Sequence, residues 1–115
     1  LAVTVTAKGL ARSLVTVGMT IGRDVFLDRA HADDESAAGL ALQAHEFVHV
    51  RQGEMDPQFP EKYDAAAHAT PSDQPWLNPY EAEAYEEERQ IYCRLVAEGR
   101  PKGRWVPLGV SMWGC

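Results

Sequence analysis

The sequence predicts a small α+β domain: a short N-terminal β-sheet, then two long helices. Three observations carry that prediction. Runs rich in Val, Thr and Ile fill residues 1–28 and are broken at Gly9, Gly18 and Gly22. Two helical segments follow, each opened by a capping residue and closed near Gly and Pro. The chain is 115 residues long, which suits one domain over 1–115 with a single modest core.

The strands come first. "LAVTVTA" (1–7) and "SLVTVGMTIGRDVFLD" (13–28) read as two or three short strands joined by tight turns. Within "TIGRDVFLD", Ile21, Val25 and Leu27 alternate with mostly polar neighbours, as in a strand with one face on a core. "AHADDESAAG" then supplies several N-caps, and a helix is expected from Glu35 or Ser36 to Gln52, ended by Gly53 and Pro57. Residues 53–78 form a long connection with four prolines, inside which "EKYDAAAHA" (61–69) suits a short helix. Phe59, Tyr63, Trp76 and Leu77 argue that this connection packs down.

A second long helix opens at "NPYE", with Asn78 as N-cap and Pro79 at the first helical position. It should run to Glu98, where Gly99 and Pro101 stop it. The tail "GRWVPLGVSMWGC" is apolar enough to fold back through Trp105, Val106, Leu108 and Trp113.

Composition narrows the function classes. The net charge of −6 makes nucleic acid and anionic membranes poor partners. No apolar run approaches the roughly 18–20 residues of a membrane span. Beginning at Leu1 rather than Met, the chain reads as a processed product or an excised domain. Cys93 and Cys115 are the two cysteines. They permit one disulfide, which would point to an oxidising, extracytoplasmic compartment, or they are two buried thiols.

The chemistry lies in "QAHEFVHVRQ" (43–52). On a helix with about 100° per residue, His49 falls about 40° from His45, and Glu46 about 100° away at the rim of the same face. Two imidazoles one turn apart on one face can share a tetrahedral ion such as Zn²⁺. Leu40, Ala44, Phe47 and Val48 fall on a separate apolar stripe, which gives the helix a core face and a metal face.

A catalytic zinc site needs a third protein ligand. In "YEAEAYEEERQIYCRLV", Glu81 lies on the same side as Ala84, Tyr85, Ile91, Tyr92 and Leu95, the inward side, whereas Glu83, Glu87 and Arg94 lie opposite. A carboxylate on an inward stripe needs a strong partner, and a metal is one. The bland reading makes Glu81 the glutamate of a capping box begun by Asn78; Glu83 is the alternative ligand. Glu88 shares the inward stripe. Either it accepts a hydrogen bond from a ligand histidine or from Tyr85, or it is a carboxylate reaching for solvent. His31 and His68, taken singly, read as surface residues.

"HEFVH" followed by "NPYEAEAY" resembles the gluzincin group of zincin metallopeptidases. Those enzymes pair H-E-x-x-H with a Glu in E-x-x-[A/S]-[D/Y] on a downstream helix. The run "VGMTIGRDVFLD…LALQAHEFVHVRQ" also resembles the compact zincin domain of extracellular contractile injection system proteins. The resemblance implies a zincin-like fold, His45, His49 and Glu81 as zinc ligands, and Glu46 as general base. Many gluzincins carry Asp, hydrogen-bonded to a ligand histidine, where this chain has Tyr85.

The expected function is therefore a zinc-dependent endopeptidase, with Tyr85 and Glu88 behind the ligands. Its partner would be a peptide or protein, bound in extended form if "TIGRDVFLD" is an edge strand. Tyr63, His68, Tyr80 and Tyr85 are candidates to stabilise an oxyanion. The tail's apolar composition adds a further expectation, a latent form with the tail or the Cys115 thiolate in the cleft. The rival expectation is a non-catalytic, zinc-stabilised binding or assembly module, since a fold this small benefits from a metal staple.

Overall fold

β-Branched and aromatic residues favour a pleated surface with one side on a core, and the N-terminal runs use that preference in three strands. The structure, a computed structural model, describes residues 4–8, 18–21, 24–28, 31 and 33–115. The strands are β1 (Thr4–Lys8), β2 (Gly18–Ile21) and β3 (Asp24–Asp28), in the order β1-β3-β2. β2 and β3 pair antiparallel from Ile21↔Asp24 to Gly18↔Leu27, and β1 joins β3 in parallel. Val25 and Leu27 on β3 are fully buried while Asp24 is exposed, the two-residue period of a strand with one face on a core. "TIGRDVFLD" is thus not one strand. β2 ends at Ile21 and β3 begins at Asp24, antiparallel to it, which leaves "TI" on the outer strand and "DVFLD" at the sheet centre. The remainder of the Val/Thr-rich runs, with Gly9 and Gly22, lies outside the described residues.

Helix α1 (Ala37–Met55) begins where the Ser36 side chain accepts from the Gly39 amide. Its first amides donate to Pro101 O and Lys102 O at 2.8 and 3.0 Å, so the loop after the last long helix caps this one. It runs past Gly53 to Met55, three residues beyond the expected end at Gln52. One glycine costs a helix only about 1 kcal/mol, and the stop comes at Asp56 and Pro57. Helix α2 (Phe59–His68) and a 3-10 turn (Pro75–Leu77) fill the proline-rich connection, and α2 buries none of its residues.

Helix α3 (Pro79–Ala97) opens with Asn78 accepting from the Tyr80 amide. It closes at Gly99, whose φ of +92° suits glycine, with Gly99 N donating to Val96 O and Arg100 N to Leu95 O. The short α4 (Leu108–Trp113) lies against α3, and a side chain at Gly109 would meet Tyr85 O at 2.6 Å. The disulfide Cys93–Cys115 ties the tail to α3. Cys115 therefore has no thiolate to place in a cleft.

The core has two halves. Val25, Leu27, Leu42 and Val50 join the sheet to α1, and Ala37, Ala38, Ala41 and Tyr92 join α1 to α3. Trp105 packs against both. The small residues on α1 let α3 approach closely. α1 is consequently covered on two sides, and His45, Glu46 and His49 are themselves buried. The expected split into a core stripe and an open metal face does not hold: Phe47 is 40% exposed, and Val50, outside that stripe, is buried.

Two other placements differ from expectation. Val106 and Trp113 stay about half exposed, while Trp105 and Val110 make the tail's core contacts. His31 is not a solvated surface residue, because its ring packs edge-on against Trp105 at 4.4 Å. His68 is exposed as expected. No helix among the described residues is long and apolar enough to cross a membrane. The α+β class expected from the sequence is the class observed.

Candidate metal centre

His45 and His49 sit one turn apart on α1 with ring centroids 5.1 Å apart. Because α3 crosses α1 at this level, Glu81 in its first turn faces both rings. Glu81 Oε1 lies 3.1 Å from His45 Nε2 and 2.6 Å from His49 Nε2. The three side chains could hold a metal ion, each offering a ligand atom within 4.8 Å of the others. The other oxygen, Oε2, accepts from the Tyr63 hydroxyl at 2.8 Å. The capping-box reading of Glu81 gives way here: Asn78 caps the helix alone, and the Glu81 carboxylate is committed to the histidines.

The groups behind the rings decide which nitrogens face inward. His49 Nδ1 lies 2.8 Å from Gln52 Oε1. The Gln52 amide nitrogen is already used as a donor, to Tyr80 O and Glu83 Oε1, so its oxygen must accept. His49 Nδ1 therefore carries a proton, and Nε2 is the atom presented to Glu81. His45 Nδ1 lies 3.4 Å from Glu88 Oε1, an ion-pair distance rather than an aligned hydrogen bond. Glu88 is only 5% exposed, so it does not reach for solvent. Glu88 thus stands behind His45, at the ring nitrogen that does not face Glu81. Tyr85 meets His45 ring to ring, with centroids 4.7 Å apart.

Electrostatics follow from burial and pairing. Burial alone would push His45 down, but the Glu81 and Glu88 carboxylates prevail and raise it to about 10. His49 is raised in the same way, chiefly by Glu81 against the cost of burial. Burial opposes ionisation of Glu81, yet hydrogen bonds from His45 and His49 hold it below the usual carboxylate range. Without a metal, both rings thus turn Nε2 toward one carboxylate oxygen, which favours their charged forms. A cation replacing the two Nε2 protons would meet two imidazole nitrogens and one carboxylate oxygen, the donor set that suits Zn²⁺. The residues fit the metal.

Glu46 lies beside this cluster and is 5% exposed. Its Oε2 accepts from the Thr20 hydroxyl of β2 at 2.9 Å. Burial raises its pKa, against the pull of the neighbouring histidines. A carboxylate so raised is a better proton acceptor than an exposed one.

All six residues singled out by sequence (His45, Glu46, His49, Glu81, Tyr85 and Glu88) come together. Glu83 does not: it meets Arg51 and Gln52 at the surface. Of the oxyanion candidates, Tyr63 alone bonds a ligand, whereas Tyr80 stacks on Phe59 and Tyr63 and His68 stands outside. Sequence reasoning assigned no role to Gln52 or Thr20. Gln52 carried a readable signal, since three residues beyond His49 is a neighbouring position on a helix. Thr20 carried none, because its contact depends on how the sheet lies over α1.

Fold and site together define a small α+β domain with a His-His-Glu cluster joining two helices. The family model for the eCIS core domain, of extracellular contractile injection systems, matches residues 3–57. That stretch is a little under half of the chain, and it includes the sheet and α1 with His45, Glu46 and His49 but not Glu81. No curated protein and no solved structure matches the chain.

Proposed function

We propose that the chain is a metal-stabilised module of an extracellular contractile injection system, serving binding or assembly. The match of residues 3–57 to the eCIS core domain carries this reading. The site supports it physically. An ion held by His45 and His49 on α1 and Glu81 on α3 would weld two helices whose shared core is largely alanine. The test is thermal unfolding with and without Zn²⁺. A rise of more than about 10 °C on loading, unchanged by Glu46→Gln, supports the module; no rise removes it.

Glu46 favours a second reading, a zinc-dependent endopeptidase. A structural zinc site closes with four protein ligands and needs no base. Here three ligands converge beside a buried carboxylate of raised pKa. Zinc would supply a fourth position for water and lower that water's pKa toward ~7. Glu46 would take the proton and pass it to the leaving amine, held in place by Thr20. Among the described residues β2 is the outer strand next to α1, and an extended peptide could add to it. Zinc-loaded wild type cleaving casein while zinc-loaded Glu46→Gln does not would establish this reading. No cleavage by either, with zinc bound to both, would leave the assembly module.

A further inference from the structure

Tyr85, Arg89 and Cys93 stand four residues apart and so form one stripe along α3. α4 and the chain end lie along it. Gly109 sits so close that a Cβ there would lie 2.6 Å from Tyr85 O and 3.3 Å from Arg89 Cβ. The Arg89 guanidinium donates to Gly114 O at 3.3 Å, and Cys115 closes the disulfide with Cys93. The first half of this stripe belongs to the part of α3 that backs the metal centre. The Tyr85 ring abuts His45, and Glu88 lies behind the same ring. α4 itself has little to keep it folded. Six residues are too few for a helix to stand alone in water, and its first turn has no side-chain cap. Its one buried residue is a glycine, to which Val110 adds a half-buried side chain on the core. Trp105 anchors the chain just before α4 in both halves of the core, so freeing Cys115 leaves that anchor in place.

We propose that the Cys93–Cys115 disulfide is a redox latch on the metal centre, opened by a dithiol reductant. Cys115 is exposed and Cys93 half-buried, so attack falls on the outer residue. A thiolate of the reductant bonds to Cys115 Sγ and expels Cys93 as its thiolate. The reductant's second thiol then displaces Cys115 and closes a disulfide of its own. Two electrons pass to the protein, and its two new thiolates take up the two protons that the dithiol gives up. With the tether gone, α4 leaves the stripe, α3 loses its outer cover beside Tyr85, and Tyr85 and Glu88 hold His45 less firmly. The metal is then released more readily under reducing conditions than under oxidising ones. The latch rests on the metal-binding reading and is independent of cleavage.

The experiment compares the oxidised chain, the chain reduced by dithiothreitol that is removed under argon before zinc is added, and the variant carrying Cys93→Ser with Cys115→Ser. Zinc affinity is read by competition with a chelator, and amide hydrogen exchange is followed in the metal-free protein. Reduction should lower affinity about tenfold, the low end for groups that orient a ligand from behind, and glutathione disulfide should restore it. The double serine variant should bind as weakly as the reduced chain and ignore the reductant, which excludes zinc capture by the freed thiols. Exchange should quicken over residues 83–92 and stay unchanged over 41–50. Affinity within about twofold across the three proteins would overturn the latch. Faster exchange throughout α1 would overturn it too, because the disulfide would then be a staple of the whole fold. An oxidised chain that binds no zinc sinks the metal-binding reading and the latch with it, whereas zinc binding that ignores the disulfide sinks the latch alone.

Discussion

Helices α1 and α2 stand a few residues apart in sequence and contribute to one site in opposite ways. α1 is covered by the sheet on one side and α3 on the other, with ten of its residues buried. α2 buries none and reaches the centre through a single half-buried side chain, Tyr63. Ligands on α1 and α3 are therefore placed by close packing, which admits only small displacements. The Tyr63 contact is placed by one hydrogen bond and a few ring contacts, on a helix with no buried residue to anchor it. The comparison predicts a site with a rigid base and an adjustable wall.

Removing a ligand from the rigid base should have the largest effect. Glu81→Ala should lower zinc affinity roughly a hundred- to thousandfold, a share of the ~10–16 kcal/mol typical of structural zinc sites. It also leaves two buried histidines without the carboxylate that both face. Glu83→Ala should leave affinity within about twofold, because Glu83 faces Arg51 and Gln52 at the surface. Competition against a chelator of known affinity checks both. Equal losses in the two variants would mean that α3 presents a different face from the one described.

The same base should show opposite pH responses with and without metal. His45 is raised to about 10 in the folded protein, against ~6.5 unfolded. Its contribution is fully present below about pH 6.5 and is lost as pH rises through about 10. Glu81, depressed in the fold, contributes above its unfolded value near 4.5 and loses that only in acid. Metal-free protein should therefore melt lower at pH 9 than at pH 6. Zinc requires the histidines unprotonated, so the rise in Tm on loading should be larger at pH 9 than at pH 6. A zinc-induced rise that shrinks as pH increases would contradict a centre built on His45 and His49.

How much of this was legible in the sequence divides along the same line. The α1 and α3 ligands were readable because a helix fixes angular positions from spacing alone: His45 and His49 share a face, and Glu81 falls on an inward stripe. Glu88 was readable for the same reason. The covering of α1 on two sides was not, because it depends on a sheet and a helix arriving from distant parts of the chain. That is why Phe47, placed on the core stripe by periodicity, is 40% exposed while Val50, outside that stripe, is buried. Thr20 on Glu46 and Tyr63 on Glu81 are contacts between elements, and no local pattern encodes them. The division of "TIGRDVFLD" between β2 and β3 was not readable either, because a glycine in such a run permits a break in a strand without requiring one.

A smaller effect tests whether the far side of α3 is as tightly held as the near side. At Gly109 a Cβ would lie 2.6 Å from Tyr85 O and 3.3 Å from Arg89 Cβ. Gly109→Ala should destabilise by about 1–3 kcal/mol in urea unfolding, the usual cost of forcing atoms into a packed contact. The carbonyl it presses belongs to Tyr85, whose ring abuts His45, so zinc affinity should fall with stability. Unchanged stability would show that α4 rides loosely on α3 despite the Cys93–Cys115 tether.

The smallest effect belongs to the adjustable wall. Tyr63→Phe keeps the ring beside His49 and Phe59 and removes only the hydroxyl that donates to Glu81 Oε2. Groups that orient a metal ligand from behind are commonly worth 10–100-fold in affinity. Because α2 is poorly anchored, the loss should sit at the low end, about tenfold, with metal-free stability changed by no more than ~0.5–1.5 kcal/mol. Burial, with the nearby Glu81 charge, holds the Tyr63 hydroxyl protonated far above neutral pH, so the contact persists across the working range. A loss near the hundredfold end would mean that α2 is held as firmly as α1, and that rigidity at this site does not follow from burial.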